Sequence, residues 1–187
     1  IMLFGRERVS QRTHMVASIV VAVGTTISAF WILALNSWMQ TPQGHWVDAE
    51  GVIHVKNWLE VIFNPSFPYR FSHKVLASVL TASFLLVGLS AWQILKKTGN
   101  TATPKVMKTG LTVGAIAIVL QTFAGDFHGL NTLKYQPAKI AAVEGVWHTE
   151  SPVPLTLIGW PNEQTQTTDY AVKVPYLGSL ILTHSMD

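Results

Sequence analysis

The feature that most constrains this chain is the absence of charge from three long apolar segments. Residues 15–47, 75–95 and 109–125 contain no Asp, Glu, Lys or Arg. A membrane-spanning helix needs about 20 consecutive, mostly apolar residues. The sequence therefore predicts an all-α, polytopic transmembrane helix bundle. We place the three spans at about residues 15–38, 73–95 and 106–124.

Composition excludes several classes of protein. Only 12% of the residues are charged, whereas soluble domains carry about 25%. There are no cysteines, which excludes thiolate metal sites, iron–sulfur clusters and covalent attachment of haem. The net charge is +3. The basic residues cluster at predicted helix ends and form no continuous stripe, so we expect no nucleic-acid partner.

The charges also predict an orientation. Arginines precede the first span, and the charged residues between the second and third spans are all lysines. Short loops rich in Lys and Arg face the cytoplasm. Residues 39–72 and 126–187, which hold most of the acidic residues, are then expected on the outer side. We accordingly divide the chain into a membrane part, 1–125, and an outer segment, 126–187. Because it opens on "IMLFGRERVS" and stops at "LTHSMD", we expect it to be part of a longer protein.

His73 is the histidine whose surroundings are most unusual. It opens the second predicted span, at the outer end. Its helical face continues through mostly small residues, namely Ala77, Thr81, Phe84 and Gly88. Such a face suits a flat macrocycle, but it also suits ordinary helix packing. From the residues alone, an interfacial side chain, a proton carrier and a ligand to a buried group all stay open.

Polar residues elsewhere have ordinary explanations. Ser28 and Asn36 interrupt the first apolar segment, and a serine hydroxyl can bond back to its own helix. The string "AKIAAVEGVWH" predicts an amphipathic helix on the outer side. Lys139 and Glu144 lie five residues apart, about 140° around a helix, whereas Glu144 and His148 would share a face. We predict a loop for residues 150–168, which are rich in Pro, Thr and Gln.

Several strings together carry a family resemblance that extends over essentially the whole chain. They are "ALNSWMQTPQG", "NPSFPYRFSHKVLAS" and "QPAKIAAVEG". With them the chain resembles subunit I of cytochrome bd-type quinol oxidases, bacterial terminal oxidases that oxidise quinol and reduce oxygen to water. It is similar to about the fourth to sixth helices of that subunit and the start of its quinol-binding loop.

The resemblance implies roles for four residues. His73 matches the axial ligand of the low-spin haem b, and is therefore expected to bind the haem iron. Lys139 and Glu144 match residues of quinol oxidation, and Ser28 matches a serine on a polar route to the oxygen site. The second axial ligand, a methionine, and the ligands of the high-spin haem b and of haem d lie outside these residues. His128 is then not expected to pair with His73.

The resemblance also implies partners and a location. The partners are the remainder of subunit I, subunit II, membrane lipid and quinol, and the location is the bacterial inner membrane. Protons are released outward. The 187 residues alone are not expected to be active. Two alternatives are another membrane b-type cytochrome, such as a quinol dehydrogenase subunit, and a haem-free transporter or scaffold.

Overall fold

The computed structural model describes residues 4–186, and most of them are helical. The elements in chain order are α1 (Gln11–Trp38), β1 (His45–Val47), β2 (Ile53–Val55), α2 (Trp58–Ile62), α3 (Phe67–Leu95), α4 (Thr103–Tyr135), α5 (Pro137–Glu144), β3 (Leu155–Asn162), β4 (Thr167–Val174) and α6 (Leu177–Thr183). Among the described residues, α1, α3 and α4 are long and apolar enough to cross a membrane. The predicted fold class is therefore confirmed.

The long helices extend beyond the apolar segments from which we predicted them. α3 begins at Phe67, six residues before the predicted span, and α4 continues to Tyr135. The 33 residues of α4 measure about 50 Å at 1.5 Å per residue, whereas a bilayer core is about 30 Å thick. Absence of charge marks the part of a helix that suits lipid, and the helix itself continues into polar sequence.

The chain divides into two units, residues 1–75 and 76–187, and the boundary falls inside α3. In the first unit, α1 and the first turns of α3 meet through aromatic rings. The ring of Phe30 lies 4.9 Å from Phe67 and 5.7 Å from Phe71 in edge-to-face geometry. Phe67 is buried. Edge-to-face pairs of this kind contribute about 0.5–1.5 kcal/mol each beyond the burial of area.

In the second unit, α3 and α4 approach each other through small residues. Gly110 and Gly114 of α4 are buried one helical turn apart, and both lie against Ser83 of α3. A Cβ at Gly110 would lie 3.0 Å from the backbone oxygen of Ser83. Close approach through small residues spaced four apart is a common mode of helix packing in membranes.

The region after α4 differs from the sequence prediction in two ways. Residues 150–168, predicted as a loop, contain β3 and the start of β4, which pair antiparallel with Leu155 opposite Val174. α5 ends at Glu144, where Gly145 adopts a left-handed conformation with φ of 67°. His148 is therefore outside the helix and does not share a helical face with Glu144. Glycine favours this termination because it has no Cβ to clash.

Candidate functional site

His73 lies in the second turn of α3 and is half-buried. One turn further along the helix is Ala77, and the hydroxyl of Thr81 donates to the Ala77 carbonyl at 2.9 Å. Because the Thr81 hydroxyl finds its hydrogen-bond partner within the helix, Thr81 adds mainly the apolar surface of its methyl group to this face. A Cβ placed on Gly88 would meet no atom within 4 Å. Apart from Phe84, which is large and exposed, the residues that follow His73 on its helical face are thus small or self-satisfied.

Arg70 lies three residues before His73, in the first turn of α3. Its Nη2 donates to Oδ1 of Asn36 in the last turns of α1 at 2.6 Å, and both side chains are half-buried. Among the described residues, no carboxylate lies within ion-pair distance of this guanidinium. The sequence predicts neither residue as functional. The sequence signal that could have indicated this pair is the position of Asn36 near the end of the first apolar segment and of Arg70 just before the second.

The imidazole of His73 suits a haem better than a metal ion that is held by protein side chains alone. No group of three His, Cys, Asp or Glu side chains that could hold a metal ion occurs among residues 4–186. A haem brings four ring nitrogens to its iron and needs only one or two axial side chains from the protein. A single half-buried imidazole above mostly small side chains fits one axial position.

Lys139 and Glu144 both lie on the short helix α5, which follows α4 after a single residue, Gln136. Lys139 is exposed and Glu144, the last residue of the helix, is half-buried. Their spacing of five residues keeps them on different sides of the helix, about 140° apart. The structure therefore brings both to one short helix without joining them on one face.

A cleft of about 520 Å³ lies beside α5. Its lining residues are Ala138, Ala141, Ala142, Gly145, Val146, Trp147, Pro161 and Glu163. Neither Lys139 nor Glu144 lines it, because they flank the face of α5 that carries the alanines, one on each side. Thr168 fixes one wall, since its hydroxyl accepts from Trp147 Nε1 at 3.1 Å and donates to the Gly145 carbonyl at 2.9 Å.

Ser28 is exposed on α1. Thr25 and Thr26 donate back to carbonyls of their own helix, but within the described chain Ser28 makes no such bond. The hydrogen bond back to its own helix, which would be the ordinary role of the Ser28 hydroxyl, is therefore not formed among the described residues.

The segment between α1 and α3 is ordered by an acidic side chain. Asp48 Oδ2 lies 2.5 Å from His54 Nε2, and its other oxygen accepts from the Val52 and Glu50 N–H groups at 2.7 and 3.1 Å. The hydrogen bond to His54, followed by the one from Val52, holds the pKa of Asp48 below its ordinary value of 3.8. The ring of His54 stacks on Trp46, its partner across the hairpin, at 4.7 Å.

Three helices suited to a membrane, with a histidine and a hydrogen-bonded arginine near one helix end, define a multi-pass membrane protein with a candidate cofactor site. The family model described as "Cytochrome bd terminal oxidase subunit I" matches residues 1–187. The chain therefore belongs to the family of cytochrome bd oxidase subunits I.

Individual relatives agree with this membership. The chain is 32% identical to cytochrome bd-II ubiquinol oxidase subunit 1 of Escherichia coli over 98% of its length, and 29% identical to cytochrome bd ubiquinol oxidase subunit 1 of Bacillus subtilis over 93%. The structure of bd oxidase from Geobacillus thermodenitrificans matches the whole chain with a TM-score of 0.81 at 30% identity. The chain spans 36% and 37% of the two relatives and 43% of the solved chain.

Proposed function

We propose that this chain is the part of a quinol:oxygen oxidoreductase at which quinol is oxidised. By name, the Escherichia coli and Bacillus subtilis relatives are ubiquinol oxidase subunits, and the family is one of terminal oxidases. The observation that carries the proposal is His73, half-buried in the second turn of α3 above a face of mostly small residues. It is suited to one axial position of a low-spin haem b.

Bound at His73, this haem supplies a one-electron acceptor for quinol. The neutral imidazole is the form that ligates iron, so His73 must keep one ring nitrogen unprotonated. The second axial ligand, and the ligands of the high-spin haem b and of haem d, come from outside these 187 residues. Small side chains at Ala77 and Thr81 leave room beside the ligand.

Quinol binds next to α5 in this proposal. Lys139 donates a hydrogen bond to a quinol oxygen, and Glu144 accepts a proton as the quinol is oxidised. Each quinol yields two electrons and two protons, and two quinols are needed to reduce one O₂ to two waters. Supporting this assignment, both side chains lie on one short helix that directly follows a membrane-suited helix.

The direction of charge movement follows from the charge distribution along the sequence. The charged residues of segment 96–108 are all lysines, whereas acidic residues are concentrated in 126–187, which favours a cytoplasmic position for segment 96–108. Protons released by Glu144 then leave on the outer side. Ser28 contributes a hydroxyl to a polar route toward the oxygen site. The partners are the remainder of subunit I, subunit II and lipid of the inner membrane.

The test uses the full-length oxidase purified with its partner subunit. We expect quinol-driven oxygen consumption together with low-spin haem b and haem d bands in the reduced-minus-oxidised spectrum. Haem b bands without oxygen consumption would favour another membrane b-type cytochrome. Absence of haem would favour a transporter or scaffold, and either result contradicts the proposal.

A further inference from the structure

We propose that Arg70, held by Asn36, is a positioning residue that pairs with a propionate of the haem bound at His73. This inference rests on the proposed function, because it takes His73 as the axial ligand. Arg70 and His73 are three residues apart on α3. Side chains with that spacing are neighbours on a helix surface, with Cβ atoms roughly 5–6 Å apart.

The first support is the fixed position of the guanidinium. Nη2 of Arg70 donates to Asn36 Oδ1 at 2.6 Å, and the backbone N–H of Arg70 donates to the Ser66 carbonyl at 3.1 Å. On either side of it in sequence, Phe67 and Phe71 pack on Phe30 of α1. An arginine that simply reaches toward lipid headgroups needs no such anchor. Arg70 is instead held near one place.

The second support is an unbalanced charge. A guanidinium has five N–H donors and stays protonated in proteins. Arg70 donates from its side chain to a neutral amide oxygen, and no carboxylate of residues 4–186 lies within ion-pair distance of it. A partly desolvated cation requires a compensating anion. Haem carries two carboxylates, and the guanidinium fork matches a carboxylate with two parallel hydrogen bonds.

The charge of Arg70 has a definite effect on the haem. A nearby cation disfavours the oxidised form, which carries one more positive charge than the reduced form. It also neutralises a propionate that would otherwise favour the oxidised form. Arg70 therefore raises the midpoint potential of the low-spin haem, which makes electron transfer from quinol more favourable.

The experiment is a redox titration of the low-spin haem in the purified full-length oxidase. We expect Arg70→Gln to lower the midpoint potential by at least the equivalent of a tenfold change in the reduction equilibrium, about 59 mV for one electron. Arg70→Lys should fall between Arg70→Gln and the wild type. Arg12→Gln removes the same charge from an exposed position at the other end of α1 and is the control.

A potential in Arg70→Gln equal to that of Arg12→Gln would overturn the inference. Redox-difference infrared spectra give a second readout, in which the propionate bands should change in Arg70→Gln and not in Arg12→Gln. A shifted potential with unchanged propionate bands would assign the guanidinium to a lipid phosphate or another anion, and also overturn it.

A variant that keeps the arginine covers the case in which Arg70→Gln loses its haem. Asn36→Ala retains the cation without its anchor, and we expect a smaller shift of the same sign; no shift would overturn the inference. Failure of the underlying function is separable from these outcomes. If His73→Ala keeps the low-spin haem, His73 is not the ligand, whatever the Arg70 variants show.

Discussion

Thr41 donates its hydroxyl to Oδ1 of Asn64 at 3.2 Å, which ties the end of α1 to the start of α3. Asn64 is fully buried, and its Nδ2 donates to the Val61 carbonyl at 3.0 Å and the Ala34 carbonyl at 3.4 Å. This amide thus joins the two helices that carry Asn36 and Arg70. The amide group supplies hydrogen bonds to the backbone carbonyls of Ala34 and Val61, which are buried or half-buried and need a partner within the protein.

We expect Asn64→Leu to lower the free energy of unfolding by about 1–3 kcal/mol, because it removes all of these buried hydrogen bonds at once. The measurement is the thermal midpoint of the purified full-length oxidase. Of the hydrogen bonds of Asn64, Thr41→Val removes only the one that Thr41 donates. It should lower the free energy of unfolding by about 1 kcal/mol or less. Equal midpoints for wild type and Asn64→Leu would show that the amide does not hold the helix ends.

Gly110 allows the close approach of α3 and α4. A Cβ there would lie 2.9 Å from Val87 Cγ2 and 3.0 Å from the Ser83 carbonyl oxygen, whereas a Cβ at Gly114 would meet Ser83 Cβ at an ordinary 3.4 Å. We expect Gly110→Ala to destabilise the protein by about 1–3 kcal/mol through overpacking. Gly114→Ala should change stability little. Thermal midpoints of both variants test this, and the reverse order of effects would contradict it.

Asp48 makes the hairpin of β1 and β2 sensitive to acid. Its folded pKa is below 3.8, chiefly because of His54. The unfolded segment therefore binds the proton at a higher pH than the folded one. The stabilisation is complete above the unfolded value and is lost as the pH falls through the folded value. We expect cleavage by pepsin within residues 45–56 to accelerate as the pH is lowered below about 4.

The reference for this measurement is cleavage of an unstructured peptide substrate of pepsin at the same pH, which corrects for the pH dependence of the protease itself. Asp48→Asn keeps an oxygen that can accept from the Val52 and Glu50 N–H groups but cannot titrate. Its relative cleavage should not change with pH over the same interval. A wild-type ratio that is equally flat would exclude Asp48 as the origin of the sensitivity.

Fold class was predictable from the sequence because long charge-free segments admit few other structures. Helix ends were less predictable, since α3 and α4 continue past the charge-free segments into sequence that contains Arg70 and Asp126. The hairpin of β3 and β4 was missed because Pro161 and Gly159 lie within β3 and resemble loop residues. Local composition could not reveal its pairing with residues 167–174.

The candidate site was predictable in its individual residues but not in its pairs. His73, Lys139 and Glu144 were proposed from motifs, and their roles stay predictions. The pairing of Arg70 with Asn36 is a contact across 34 residues of sequence. It depends on the relative placement of α1 and α3, which no local pattern encodes. The cleft beside α5 depends in the same way on the tertiary hydrogen bond from Thr168 to Gly145 at the end of α5.

Glu144 should be required for proton uptake from quinol. We expect Glu144→Gln to reduce quinol oxidation by roughly 10²–10⁴-fold, the usual contribution of a positioned general base, and to alter its pH dependence. The measurement is quinol-driven oxygen consumption by the full-length enzyme across pH. Glu150→Gln removes an exposed carboxylate from the same segment and should leave turnover unchanged. Normal turnover and pH dependence in Glu144→Gln would exclude it as the proton acceptor.

The most direct test of the account is the haem spectrum of the full-length His73→Ala oxidase, with His128→Ala as its matched control. The resemblance argues against His128 as a partner ligand, and both histidines are half-buried. The measurement is the reduced-minus-oxidised difference spectrum in the region of the low-spin haem b. We predict that this signal is lost in His73→Ala and kept in His128→Ala. An unchanged low-spin signal in His73→Ala would contradict the assignment of His73 as the haem ligand.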